Sequence, residues 1–144
     1  MIAYLDSSAL LRLVLREPGA LELEDLTACE SILSSELLAV ECPRTIDRLR
    51  LQGFLTTEEA ASRFSVVTDW LEAVDLVRLQ RPILSRASDP FPTPLGTLDA
   101  LHLATALVWR DRMKQDPVMM THDPGLALAA RAFGMKVLGA EILS

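Results

Sequence analysis

Cysteine is scarce in this chain. Cys29 and Cys42 are the only two among 144 residues, with no CxxC spacing and no histidine beside them. Their setting excludes a disulfide scaffold or a Cys/His zinc site and fits reduced thiols in an apolar core. Basic residues are also in short supply, fourteen against twenty acidic, for a formal net charge of −6. A protein that coats nucleic acid by counterion release needs a basic surface, so any nucleic-acid partner must be gripped locally. Lysine in particular is nearly missing, since only Lys114 and Lys136 are not arginine. Arginine's planar fork suits paired contacts to phosphate or carboxylate oxygens. No apolar run approaches the ~18 residues needed to cross a bilayer. The opening Met-Ile-Ala-Tyr-Leu-Asp carries no basic leader, so a soluble, cytoplasmic protein without a membrane partner is expected.

What is present is a globular composition, 50% hydrophobic and 24% charged, of a length that makes one domain over residues 1–144 the expectation. Residues 97–109, TLDALHLATALVW, form the organising stretch. Their pattern is that of a helix apolar almost all round, and hence buried, with Asp99 as its only ionised group. A buried carboxylate costs several kcal/mol unless a cation or hydrogen-bond donors compensate it, and no basic residue follows before Arg110.

Along the chain, residues 2–5 read as a short buried strand ending at Asp6, and Ser7 and Ser8 open a helix over residues 9–15. Pro18 and Gly19 break it, and the acidic stretch around residues 22–25 gives a second helix or turn. Residues 29–33 suit a strand. Ser34 or Ser35 would cap a helix through Glu41, Ile46 and Leu49, with a kink or a new start at Pro43. Thr56-Thr57-Glu58-Glu59 opens a helix running to about Val74, and residues 74–79 alternate as a strand. A short helix over residues 82–87 and a proline-rich loop over residues 89–94 lead to the central helix, with Thr97 as its N-cap. Residues 118–120 form a strand, Pro124 starts a helix that Gly134 ends, and residues 136–138 form a last strand.

Strands alternating with helices imply an α/β fold whose parallel sheet is covered on both faces. Such sheets collect ligands at the carboxyl edge of their strands. Asp6 and Asp123 follow strands. Glu41 and Asp99 lie in helices able to overhang the same crevice. Singly, each acid has an ordinary structural reading: Asp6 and Asp123 as helix caps, Asp99 as a first-turn acid favoured by about 1 kcal/mol, Glu41 as a partner of Arg44. Together the four require a cation, because two carboxylates about 5 Å apart repel by roughly 3 kcal/mol at an effective dielectric near 20. Oxygen donors with only His102 and His122 nearby point to Mg²⁺ or Mn²⁺ rather than zinc. A water on such an ion can attack a phosphodiester, so the pattern suggests a metal-dependent nuclease. Glu41, Arg44 and Arg48 share one helical stripe, which makes the two arginines candidate RNA contacts. His102 and His122 read as hydrogen-bonded structural groups rather than bases, since metal-activated water needs no histidine.

Four segments then resemble, in order, the motifs of a PIN domain, specifically of a VapC-type toxin: YLDSSALLRL at 4–13, SSELLAVECPR at 34–44, TLDALHLATAL at 97–107 and MTHDPGLALAARAFGMKV at 120–137. The resemblance implies a three-layer α/β/α sandwich around a short, mainly parallel sheet. It also implies a Mg²⁺- or Mn²⁺-dependent endoribonuclease acting on cellular tRNA or rRNA. Asp6, Glu41, Asp99 and Asp123 match the family's catalytic, metal-binding quartet. Asp6 and Asp99 correspond to direct ligands, Glu41 and Asp123 to direct or water-bridged ones, and Ser7 and Thr121 to supporting hydroxyls. The partners implied are a VapB-like antitoxin and a second copy of the chain, in a heterotetramer or larger complex. Two departures stand out: Gly96 where the family often carries arginine, and Pro43 just after Glu41. A catalytically silent PIN scaffold that binds an antitoxin is the alternative. A third reading, an aspartate phosphotransferase or receiver using Asp6, lacks the second aspartate of Asp-x-Asp and a clear strand-end lysine.

Overall fold

The computed structural model describes residues 1–141. Its centre is β1, Ile2–Leu5, whose alternating side chains serve both faces of the sheet. Ala3 and Leu5 enter one core and Tyr4 the other, and all three are fully buried. β2 (Ser31–Ser35) and β4 (Val118–Met120) flank β1; β3 (Asp75–Val77) and β5 (Val137–Leu138) lie outside them. The order is β3-β2-β1-β4-β5, and every pairing is parallel. Successive crossovers carry the chain outward from β1 to β3, then back across to β4. The direction therefore switches at β1, where an open α/β sheet leaves a crevice beyond its carboxyl ends.

One face is covered by α1 (Ser7–Val14), α2 (Leu23–Thr27), α3 (Leu38–Leu51) and α4 (Thr57–Ala73), which bring Leu10, Leu26, Ile46 and Val67 against Ala3 and Leu5. On the other, α6 (Thr97–Met113) and α7 (Pro124–Ala132) bring Leu103, Leu107 and Leu126 against Tyr4, Leu33 and Met119, while α5 (Arg81–Ser88) packs along α6. The result is the expected three-layer α/β/α sandwich. No helix among the described residues is long and apolar enough to cross a membrane.

Local rules account for most element ends. Thr56 and Glu59 close a full capping box at α4, bonding reciprocally at 3.0 Å. α6 outruns its expected end at residue 109 by a turn, because Arg110 and Arg112 suit the negative end of the helix dipole and Lys114 adopts the left-handed conformation that stops it.

Several expectations need correction. The second strand is Ser31–Ser35, not residues 29–33: Ser34 and Ser35 are fully buried and pair with Leu76 and Val77 of β3. Neither serine caps α3, whose first turn follows Leu37. Ser34 Oγ donates to the Leu5 carbonyl, and Ser35 Oγ accepts the Leu37 N–H before the helix begins. The third strand is confined to Asp75–Val77, since Val74 still bonds back to Trp70 as the C-cap of α4. Gly96, not Thr97, is the N-cap of α6. α3 neither breaks nor restarts at Pro43. The lost N–H would have served the carbonyl of exposed Ala39, while Cys42 and Ile46, both fully buried, pin the helix on either side.

Beyond β5, the chain is tied down beside β4. His122 Nδ1–H donates to the Gly139 carbonyl at 2.8 Å, and Arg131 donates to the Ala140 carbonyl at 2.5 Å. Gly139 has φ +102, and a Cβ there would stand 2.5 Å from the Thr121 carbonyl oxygen. Both conditions require glycine. Gly139→Ala is therefore expected to destabilise the protein by about 1–3 kcal/mol, read as a lower urea midpoint at unchanged slope. An unchanged midpoint would show that the segment is not held this way.

Candidate active site

The carboxyl ends of β1 and β4, together with α3 and the first turn of α6, bring the four candidate acids to one crevice. Asp6 is the most deeply set, at 2% exposure. It caps α1 by accepting the Ala9 N–H at 2.9 Å, and it accepts from Thr121 Oγ1 at 2.6 Å and from Ser8 Oγ at 2.8 and 2.9 Å. Burial pushes its carboxyl above the usual range, and the bonds from Thr121, Ala9 and Ser8 pull it back only in part.

Thr121, fully buried, links two of the acids. It donates to Asp6 and accepts the Asp123 N–H at 3.0 Å. Asp123 in turn accepts the Leu126 N–H at 2.9 Å as the N-cap of α7, with Pro124 in the first turn. Capping and facing the crevice are thus compatible roles for this aspartate. Glu41, one turn into α3, is held by Ser7 Oγ at 3.2 Å and by His102 Nε2 at 2.5 Å. The ordinary structural alternative for Glu41, a pairing with Arg44, does not occur. Arg44 is exposed and bridges to Asp47 at 3.5 Å.

Asp99 answers the question posed by the sequence differently from expectation. The buried part of α6 begins at Ala100 and runs from His102 to Leu107, whereas Asp99 sits at the crevice mouth and is only half-buried. Hydration therefore takes up part of the cost that a fully buried carboxylate would incur. Its carboxyl is still pushed up to about 6, first by burial, then by Asp123 and Asp6 and more weakly by Glu41, with His102 acting the other way. All three other acids act on this one group. Among the described residues, no lysine or arginine forms an ion pair with any of the four. At Gly96, where the resemblance led to an expectation of arginine, a Cβ would meet nothing within 4 Å.

The arrangement is a concentrated negative field rather than a closed coordination shell. Among the described residues, no three Asp, Glu, His or Cys side chains stand close enough to hold a metal ion by themselves. The donor set still suits a hard divalent cation that keeps part of its water shell. All four ligand candidates are oxygen donors, and the nearby Cys42 thiol is pushed up to about 12, chiefly by burial and then by Glu41 and Asp6, so no thiolate competes.

Reading the residues in isolation missed two contributors. Ser8 looked like helix-opening polarity, yet it touches both oxygens of Asp6 and accepts the His122 N–H at 3.0 Å. His102 was expected to be a buried hydrogen-bonded group, which it is, but its partner proves to be Glu41. The available signal was its place three residues after Asp99, on the same face of α6. Arg48 is exposed on α3 seven residues from Glu41, about 10 Å along the helix axis.

Comparison with known proteins agrees with this geometry. A PIN domain profile matches residues 3–131. "Ribonuclease VapC46" from Mycobacterium tuberculosis (strain ATCC 25618 / H37Rv) is 34% identical over 140 residues, covering 94% of this chain and 95% of the relative. "Ribonuclease VapC47" from Mycobacterium tuberculosis (strain CDC 1551 / Oshkosh) is 32% identical over 136 residues, 91% of each. With the profile spanning most of the sheet and all four acids, the chain belongs to the PIN domain family.

Proposed function

We propose that this protein is the toxin of a type II toxin–antitoxin pair, a Mg²⁺- or Mn²⁺-dependent endoribonuclease that cleaves cellular RNA of the tRNA or rRNA class. The observation that carries the reading is the convergence of Asp6, Glu41, Asp99 and Asp123 with no lysine or arginine paired to any of them among the described residues, so that, beyond burial, the other three acids all push the Asp99 carboxyl up. Two relatives named as ribonucleases, matched along nearly their whole length, support it.

In this reading Asp6 and Asp99 hold the cation directly, and Glu41 and Asp123 do so directly or through water. When bound, a divalent ion supplies a water of lowered pKa and positive charge against the phosphate. The chain's own contribution is orientation. Ser8, Thr121 and the Ala9 N–H fix Asp6, Ser7 and His102 fix Glu41, and the Leu126 N–H fixes Asp123, so few side chains have to reorder when substrate arrives. Arg44 and Arg48, both exposed on α3, are the RNA-phosphate contacts in this reading, Arg44 having to leave its bridge to Asp47 to serve. A VapB-like antitoxin neutralises the enzyme, which acts as a homodimer and joins its antitoxin in a heterotetramer or larger assembly in the cytoplasm.

The silent-scaffold alternative draws only on the lack, among the described residues, of three side chains close enough to hold an ion by themselves, which a cation that keeps part of its water shell does not require. The phosphotransferase reading lacks the second aspartate two residues after Asp6, where Ser8 stands and donates to both Asp6 oxygens.

Induced expression of the wild type in a bacterial host should arrest growth and produce discrete new RNA 5′ ends. Asp99→Asn should abolish both, with an in vitro cleavage rate lowered about 100-fold or more, the equivalent of several kcal/mol of metal stabilisation. A folded Asp99→Asn protein that cuts as fast as the wild type would refute the assignment of Asp99. Wild-type protein that binds antitoxin but yields no new ends would favour the scaffold.

Carboxylate crowding gives a second expectation, free of RNA. With Asp99 at about 6 against an ordinary 3.8, the folded chain binds this proton more tightly than the unfolded chain. Ionised Asp99 therefore costs stability above its folded value, and the cost fades as pH falls towards the unfolded value. In chelator near pH ~7.5, Asp99→Asn should melt a few degrees higher than wild type, with the difference closing near pH ~4. A variant that melts lower at both pH values would argue against the clustering.

A further inference from the structure

Glu41 differs from the other three acids in that both its oxygens are held by side chains from other helices. Ser7 Oγ donates to Oε2 at 3.2 Å, and His102 Nε2 meets Oε1 at 2.5 Å. His102 is 1% exposed, and its second ring nitrogen, Nδ1, lies 2.7 Å from the hydroxyl of fully buried Tyr4, with the two rings edge-to-face at 5.8 Å. The chain of contacts therefore runs from the central strand, through α6, to the acid on α3.

Proton inventory gives this chain a direction. The ionised carboxylate of Glu41 only accepts, so the ring hydrogen that faces it sits on Nε2 and donates to Oε1. Nδ1 of a neutral ring is then an acceptor, and the Tyr4 hydroxyl 2.7 Å away is the donor it meets. Without Tyr4 the ring would lose this second attachment and be held at Nε2 alone. A histidine serving only to fill the core would not need a tautomer fixed on the side facing an acid.

We propose that His102, anchored through Nδ1 by Tyr4 and donating from Nε2, is the positioning residue that holds Glu41 at the acidic crevice for the cation. This role rests on the metal-dependent reading above. It makes Glu41 a ligand whose aim is set by the core of the sheet rather than by the exposed part of α3, and it reconciles Glu41 with Pro43 two residues away.

Mn²⁺ binding to the full chain without RNA, followed by calorimetry or by Mn²⁺ electron paramagnetic resonance, tests the proposal. His102→Leu removes the donor and should weaken Mn²⁺ by about 10- to 100-fold, as loss of a hydrogen bond to a ligating carboxylate does. Tyr4→Phe removes only the anchor on Nδ1 and should weaken it less. His102→Gln, whose amide N–H can still donate to Glu41, should recover most of the affinity even where melting in chelator is no better than for His102→Leu. Without metal, ¹⁵N spectra of the wild type should show His102 protonated on Nε2, and Glu41→Gln should move that signal. An Nδ1–H tautomer overturns the proposal, as does wild-type Mn²⁺ affinity in both folded His102→Leu and folded Tyr4→Phe. Wild-type binding no tighter than that of Asp99→Asn would instead overturn the metal reading, and this role with it.

Discussion

A carboxylate with 2% exposure at the end of the central strand constrains much of its surroundings. Asp6 cannot be left without donors, and what supplies them defines the local structure: the first turn of α1 through Ala9 and Ser8, and the end of β4 through Thr121. β1 and β4 are in turn held in register by pairing, with Leu5 opposite Met120 and the Asp6 N–H donating to the Met120 carbonyl at 3.1 Å. The sheet is therefore organised so that one buried acid is satisfied, and Asp123 comes into place because Thr121, two residues before it, is already committed to Asp6.

The division of the core into two halves has the same centre. Tyr4 faces the α6–α7 side, Ala3 and Leu5 the α1–α3–α4 side, so four residues of strand decide both the packing and the position of the first acid. The two helical layers then each contribute one acid to the crevice, Asp99 from one and Glu41 from the other. His102 joins them across the carboxyl end of the sheet. Removing any one layer would leave an incomplete site, which is why the acids are so far apart in sequence.

The sequence made much of this legible, and its failures have physical causes. Strand-helix alternation was enough for the layered architecture, and the Thr56–Glu59 box and the Asp123–Pro124 cap were readable because caps are local chemistry. Errors concentrated where tertiary contacts override a local preference. Ser34 and Ser35 look like cap residues, but buried beside β1 and β3 they extend a strand, and Pro43 looks like a breaker, but the packing of Cys42 and Ile46 carries the helix past it. At the site, the four acids could be nominated from their positions after strands and in first turns. Asp99 was misjudged in depth, because an apolar helix pattern does not say where along its axis burial begins. The Ser8–His122 and His102–Glu41 contacts span 114 and 61 residues of chain and carry no local signature.

The four acids are also unequal, and their inequality follows from who holds them. Asp6 and Asp123 each cap a helix and accept backbone N–H groups, so their positions would persist without any ligand. Glu41 is held by Ser7 and His102, and Asp99 is placed by the first turn of α6 alone, facing the charge of the other three. A cation arriving in the crevice would change the field most at the group that has the fewest internal partners and the most like-charged neighbours. That group is Asp99, at the mouth, where water takes up part of its charge and where, in the proposed metal-dependent reading, a cation would take up the rest. The fold thus separates two demands that a single buried carboxylate could not meet, a fixed anchor at the strand end and a responsive acid at the entrance.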